Sequence, residues 1–371
     1  LPLPLRFWRS ELEWLGGFLT LVSILHILAP AGVGGLPRAG GRFVRGEREL
    51  TAHLDFSRLR ILLAQYSFVT IVITLGFVVC GVKAIDALML AMTAIATGGF
   101  VPVHGSLDLE LGHAGMLVMS IALALGATSL FWQTFSLKGL REAILQNRES
   151  VWIIRVIGVL AAGYAVLLFR GSGSTSVSGM FAALNEGLFT AASVVSTAGI
   201  ETRPGVIALM PSLFVVFIIL CGASIFSTAG GIKFYRLAGM LAHSWRELEL
   251  LIFPSAVRAV HFFGERDSER AGRSVWAVFV LATVTICIAC ILLTVSGPGF
   301  EAGFVAVLAL FANAGHIYTA LIPLGADPEV WPKFADFGLM GMAVAIVVMV
   351  LGRLEVVVVF AALNIAYWTN R

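Results

Sequence analysis

The sequence predicts an all-α integral membrane protein built from repeated units of span, short helix, glycine-bearing loop and span. Three observations predict it. The chain is 58% hydrophobic and 13% charged over 371 residues, a balance foreign to soluble domains. Apolar runs at 12–29, 61–82, 115–135, 151–169, 275–295 and 337–359 are each long enough to cross about 30 Å of hydrocarbon. Between some of these runs the same interruption recurs as Thr97-Gly98-Gly99-Phe100, Thr197-Ala198-Gly199-Ile200 and Asn313-Ala314-Gly315-His316.

The run at 12–29 is itself a full span and lacks a small-residue cleavage site, so it does not read as a secretory signal. After 61–82, Asp86 opens a helix-forming stretch, 87–96, too short to span; an acidic residue suits a helix N-terminus. The stretch at 178–195 precedes Ser196–Ile200, and 301–311 precedes Ala312–His316, in the same order. A lone Thr-Gly or Ala-Gly pair is ordinary loop punctuation. Recurrence after a short helix is not. Lipid offers no partner for free backbone groups, so irregular backbone at that depth must line a cavity. A short helix diving inward points its negative end at the centre, which favours a cation there. Gly98-Gly99 permits the turn.

The run at 206–221 is short and ends in Gly222-Ala223-Ser224-Ile225-Phe226-Ser227-Thr228-Ala229-Gly230-Gly231, then Ile232-Lys233. Small and hydroxyl residues inside a span either allow close packing or mark an unwound segment facing a cavity. The second reading is favoured, with the stretch as a flexible gate. It lacks the spacing of a phosphate-binding loop. Arg353 and Glu355 fall in the last apolar run, where an arginine costs about 2.5–3.5 kcal/mol unless it faces a pore or a carboxylate. The competing reading places Arg353 near the cytoplasmic end, snorkelling to the interface. Cys80, Cys221, Cys287 and Cys290 lie in apolar runs and read as small buried hydrophobes. His26, His104, His113 and His316 lack ligand spacing, and no nucleophile-and-base pair suggests an enzyme.

Basic residues set an expected orientation. Arg38, Arg42, Arg45, Arg48, Arg58 and Arg60 fall at 31–60; Lys138, Arg141, Arg148 and Arg155 at 136–155; Lys233, Arg236, Arg246, Arg258, Arg266, Arg270 and Arg273 at 233–273. The intervening segments hold only Lys83, Arg170, Arg203 and Lys333. Cytoplasmic loops are enriched in Lys and Arg, so the glycine loops are expected outside. The run at 12–29 then enters from outside, like the last helix of a repeat whose earlier part is missing. The net charge of +3 gives no reason to expect nucleic acid as a partner.

These residues resemble the Trk/Ktr/HKT superfamily of potassium transporters, most closely the bacterial Trk-type membrane subunit. Ser227-Thr228-Ala229-Gly230-Gly231-Ile232-Lys233 is similar to the signature loop in the second helix of the third repeat. Leu351-Gly352-Arg353-Leu354-Glu355 is similar to the last-helix motif. Phe7-Trp8-Arg9-Ser10 with Trp14-Leu15-Gly16-Gly17 resembles the segment after the first filter, and Gly32-Val33-Gly34-Gly35 the end of that helix.

The resemblance implies pseudo-fourfold units around one pore: residues 1–36 as the last helix of an incomplete first repeat, then 37–138, 139–250 with its broken second helix, and 251–371. It implies a filter for K⁺, with Na⁺ as a second candidate, formed by Ala96, Thr97, Gly98 and Gly99; Ser196, Thr197, Ala198 and Gly199; and Ala312, Asn313, Ala314 and Gly315. Ser224, Ser227, Thr228, Ala229, Gly230 and Gly231 would form the gate, with Arg353 as an electrostatic barrier. It further implies a homodimer in the bacterial inner membrane, a cytoplasmic nucleotide-binding regulatory subunit, and no covalent cofactor. Ile225-Phe226, Ile200 and His316 depart from the family pattern. Ile225, Phe226 and His316 motivate an alternative, a non-conducting structural or regulatory paralogue assembling with a competent transporter.

Overall fold

The computed structural model describes residues 2–28, 56–102, 107–129, 147–173, 176–253, 261–262, 265–266, 269–323 and 325–353. Helix α1 (Leu3–Val22) has proline in its first turn and runs on as a π-helical segment, Ser23–Leu28. Then follow α2 (Phe56–Val79), α3 (Ala84–Ala96), α4 (Leu107–Ala127), α5 (Arg148–Ser172), α6 (Val177–Val195), α7 (Ser212–Cys221), α8 (Phe234–Ile252), α9 (Glu269–Val295), α10 (Phe300–Phe311), α11 (Gly315–Ala320) and α12 (Leu339–Arg353). A small antiparallel hairpin pairs His261–Phe262 with Glu265–Arg266. Among the described residues, four helices (α2, α4, α5 and α9) have spans long and apolar enough to cross a membrane. At 1.5 Å per residue, the 13 residues of α3 and 12 of α10 reach only about 18–20 Å, short of a bilayer core.

The packing order recurs. Helix α3 lies between α2 and α4 with α1 behind it. Helix α6 lies between α5 and α7 with α4 behind it, and α10 lies between α9 and α12 with α7 behind it. Each of the short helices α3 and α10, and α6, therefore touches a helix on either side of it in the chain and one further helix from earlier in the chain. Two apolar cores result. One gathers Tyr66, Phe77, Leu90, Met119, Leu123 and Phe189; the other gathers Val215, Leu293, Val307, Leu310 and Tyr318. Val194 belongs to one and Val195 to the other, so α6 joins them. The outer surface is apolar as well: Val79, Val159, Phe217 and Ile291 are exposed. Water would not tolerate so much contiguous apolar surface, and lipid does. The protein is an all-α, multi-pass membrane protein.

Several boundaries differ from the hydropathic expectation. Helix α4 starts at Leu107 rather than 115, with Asp108 and Glu110 in its first turn and a kink at Gly112. Helix α1 starts at Leu3 rather than 12 and carries Arg6, Arg9, Glu11 and Glu13. Hydropathy excludes charged turns from a span, whereas a helix needs only its backbone bonds. Lys233 and Arg236, counted above among loop residues, are buried at the break between α7 and α8 and carry no weight for orientation. Of the free cysteines only Cys290 is buried; Cys287, one helical turn away, is exposed on the outer face of α9. Gly32-Val33-Gly34-Gly35, Arg38, Arg42, Arg45, Arg48, His104, Lys138, Arg141, Arg258 and Leu354-Glu355 lie outside the described residues.

Candidate functional site

The inward helices α3, α6 and α10 end in one shared turn. Thr97, Thr197 and Asn313 each follow the helix in left-handed conformation, with φ of 52°, 62° and 55°. Their N–H groups donate three residues back, to Ala94, Val194 and Leu310. The next N–H groups donate five residues back, Gly98 to Thr93 (3.0 Å), Ala198 to Ser193 (3.1 Å) and Ala314 to Ala309 (2.8 Å). This pair of bonds is the Schellman helix ending, which glycine usually serves. The sequence suggested that Gly98-Gly99 makes the turn; the structure puts the left-handed residue on threonine or asparagine. Branched threonine there is strained, and such strain gathers at functional positions.

Because the N–H groups fold back onto their helices, the loop carbonyls are left over. Among the described residues, no protein donor reaches the carbonyl oxygens of Thr97, Gly98, Gly99, Thr197, Ala198, Gly199, Ala312 or Asn313. All of these residues except Gly98 and Asn313 are buried. A buried acceptor without a donor costs about 1–3 kcal/mol, so the six buried ones among these call for a compensating positive charge.

The loops also meet. A Cβ placed on Gly99 would strike the Ala198 carbonyl oxygen and come within 2.9 Å of His316 Cδ2, so the chain segments following α3, α6 and α10 converge there. One on Gly199 would strike the Ile317 side chain. Below them sits the break between α7 and α8. Thr228 Oγ1 donates to the Ile95 carbonyl (2.9 Å), and Gly230 N–H donates to Thr197 Oγ1 (2.9 Å). Gly230 lies so close to the Ala312 carbonyl that any side chain would overlap it. The stretch 222–233 is non-helical and wholly buried. The residues singled out as filter and gate are thus brought together.

Charged residues outside those assignments hold this arrangement. Glu13 of α1 accepts from Thr93 Oγ1 (3.0 Å) and from the Phe100 N–H (3.2 Å). Beside it Arg9 lies over the Phe100 ring, and Arg6 donates to the Pro102 carbonyl. Glu186 of α6 accepts from Thr202 (2.8 Å) and pairs with Arg203 through both oxygens. Glu149 of α5 accepts from Ser224 Oγ (2.8 Å) and the Ile225 N–H (2.9 Å), while Lys233 Nζ donates to the Ser227 and Ala229 carbonyls. Sequence reasoning overlooked Glu13, Glu149 and Glu186. The available signal was an ionisable residue within or beside an apolar stretch, by itself a pointer to function. Arg353 ends α12 and donates from Nε to Thr20 Oγ1 of α1 (2.8 Å).

Residues 210–366 match the family described as TrkH, cation transport protein. A Trk system potassium uptake protein TrkH of Halomonas elongata is 26% identical over 382 residues, covering 99% of this chain and 74% of that protein. A Trk system potassium uptake protein TrkG of Escherichia coli is 26% identical over 382 residues, with 100% and 74% covered. The crystal structure of the potassium transporter TrkH from Vibrio parahaemolyticus superposes with a TM-score of 0.82 at 25% identity, covering 99% of this chain and 74% of that one. On sequence along nearly its whole length and on fold, the chain is similar to these Trk-type potassium uptake proteins.

Proposed function

We propose that the protein carries K⁺ across a membrane, with Na⁺ as the competing ion, through a constriction lined by backbone carbonyls. The carrying observation is the set of buried carbonyl oxygens, at the ends of α3, α6 and α10, that no protein donor reaches. Such oxygens replace the water around an ion, and their number and spacing discriminate between ions. The inward helices add their negative ends. Residues 96–99, 196–199 and 312–315 form the filter, and 224–231 with Arg353 form the gate beneath it. Units 37–138, 139–250 and 251–371 each supply one filter loop, and 1–36 supplies a span packed behind the first of them. The relatives named as potassium uptake proteins support the choice of ion. The same reading places the filter outside and the protein in a bacterial inner membrane, as a homodimer with a cytoplasmic nucleotide-binding regulatory subunit.

The test is ion flux in vesicles carrying the purified protein. Gly99→Ser and Gly199→Ser should each lower the K⁺/Na⁺ flux ratio about tenfold, since a side chain there enforces an unfavourable backbone, at about 1–2 kcal/mol, and a collision. Unchanged ratios in both variants would remove these loops from the permeation path.

A further inference from the structure

The stretch 222–233 has no secondary structure of its own, yet its backbone is fastened at several points. Ser224 N–H donates to the Ala127 carbonyl (3.0 Å) and Thr228 N–H to Gly126 (3.3 Å), both at the C-terminal end of α4. These are carbonyls that an α-helix cannot pair internally, so the loop caps α4. Ile232 N–H closes onto Leu220 of α7 (2.9 Å), and Phe234 N–H onto Ala223 (3.0 Å). All these bonds join neutral groups. One fastening is different in kind: the Glu149 carboxylate, in a residue 6% exposed, takes Ser224 Oγ on one oxygen and the Ile225 N–H on the other. A third bond from the Tyr235 backbone reaches it from the first turn of α8, and Lys233 lies close enough to offset its charge. Glu149 therefore ties together both ends of the break.

Its own position is fixed as well. Asn147 caps α5 by accepting from Ser150 N–H (3.2 Å) and donates to Ser129 Oγ (2.6 Å), while Ser129 N–H donates to Ser150 Oγ (3.2 Å). The end of α4 and the start of α5 are thus locked together beside the carboxylate. Charge-assisted bonds are about twice as strong as neutral ones. Displacing the loop would leave a buried carboxylate unpaired, which disfavours displacement more than losing any of the loop's neutral bonds would.

We infer that Glu149 is a positioning residue that latches the 222–233 segment in place, so that movement of the gate requires release of this carboxylate. The inference rests on the reading of that segment as a gate. It assigns the start of α5 the task of setting how often the passage opens.

The experiment compares Glu149→Gln and Ser224→Ala with the unaltered protein in liposomes, reading amide hydrogen exchange and K⁺ flux. Glutamine keeps the shape but offers one acceptor oxygen where the Ser224 and Ile225 donors now sit on two. Exchange should quicken about tenfold in 226–233, including the Thr228 and Gly230 amides that Glu149 does not touch, and K⁺ flux should rise about tenfold, the worth of one bond to a charged group. Ser224→Ala keeps the charge, deletes one bond and should quicken both about threefold; it also decides the matter if Glu149→Gln does not fold. Unchanged exchange in 226–233 overturns the latch whatever the flux. Faster exchange with unchanged K⁺ flux overturns the gate assignment, and the latch with it, while leaving the filter. Absence of K⁺ flux in the unaltered protein instead counts against the filter, and exchange still reports on Glu149.

Discussion

The loops after α3 and α6 are held by carboxylates, and the loop after α10 is held by aromatic rings. All three begin with the same helix ending, yet they part company within two residues. Gly99 and Gly199 take φ of 93° and 69°, whereas Gly315 starts the short helix α11 with no positive φ. Glu13 and Glu186 brace the first two loops from behind. Behind the third stands Tyr318, stacked near Trp331, Phe334 and Phe337 and donating to the Pro332 carbonyl (2.7 Å). Asn313 Nδ2 adds one bond to the Met349 carbonyl (3.2 Å). One backbone turn can therefore be presented on polar or apolar foundations. The turn is set by the helix end, and the foundation determines how strongly the carbonyls beyond it resist displacement.

The largest expected consequence concerns the glycines. Gly99→Ser and Gly199→Ser meet both an unfavourable φ and a collision, so the tenfold loss of K⁺/Na⁺ discrimination is reserved for them. A Cβ at Gly315 has only Phe334 Cε2 nearby, at 3.6 Å, an ordinary contact. Gly315→Ser should therefore shift the flux ratio about threefold at most. Equal losses at all three positions would erase the distinction between the loops.

The next expected effect concerns the braces. Glu13→Gln leaves one of Thr93 Oγ1 and Phe100 N–H facing an amide donor, and should lower the K⁺/Na⁺ ratio about threefold by letting the Gly98–Phe100 carbonyls drift. Tyr318→Phe removes a neutral bond worth about 1 kcal/mol but leaves the ring stack. It should lower the melting temperature slightly and leave the flux ratio within about twofold, because apolar packing carries that loop. A larger change in selectivity from Tyr318→Phe than from Glu13→Gln would reverse the ranking of the two foundations.

Much of the fold was legible because hydropathy and glycine spacing report what a membrane forbids. The stretches at 87–96 and 301–311 emerged as α3 and α10 with only one to three residues added at the start. The break at 222–231 was visible because small and hydroxyl residues crowd where apolar ones belong. What escaped detection depends on partners far along the chain. Glu13 meets Phe100 across 87 positions and Glu149 meets Ile225 across 76, and no local pattern announces such pairs. The same limit applies to Lys233, which looked like a loop cation but folds back onto the Ser227 and Ala229 carbonyls. The left-handed turn escaped for a different reason. Threonine at the helix end violates the propensity that would have identified it, and only packing explains its tolerance.

The smallest expected effect lies in the loop after α6, where a second carboxylate behaves differently from Glu186. Glu201 Oε1 accepts from the Gly205 N–H (3.2 Å) and the Ile207 N–H (3.0 Å) and has no ion-pair partner among the described residues. Partial burial raises its pKa above the usual 4.5, and the backbone bonds only partly oppose that shift. A raised folded-state value means the folded protein holds this proton more tightly than the unfolded chain does. Its stabilising contribution is therefore full below the unfolded value near 4.5 and declines as pH rises through the folded value. Glu201→Gln keeps an acceptor oxygen for both N–H groups and removes the charge, so the melting temperature at pH 7 should rise slightly, with the gain vanishing below pH 4.5. Glu186→Gln should do the opposite at pH 7, because its charge is matched by Arg203 at 2.7 Å. A loss of stability from Glu201→Gln at pH 7 would mean that its negative charge, like that of Glu186, is itself a brace for the loop.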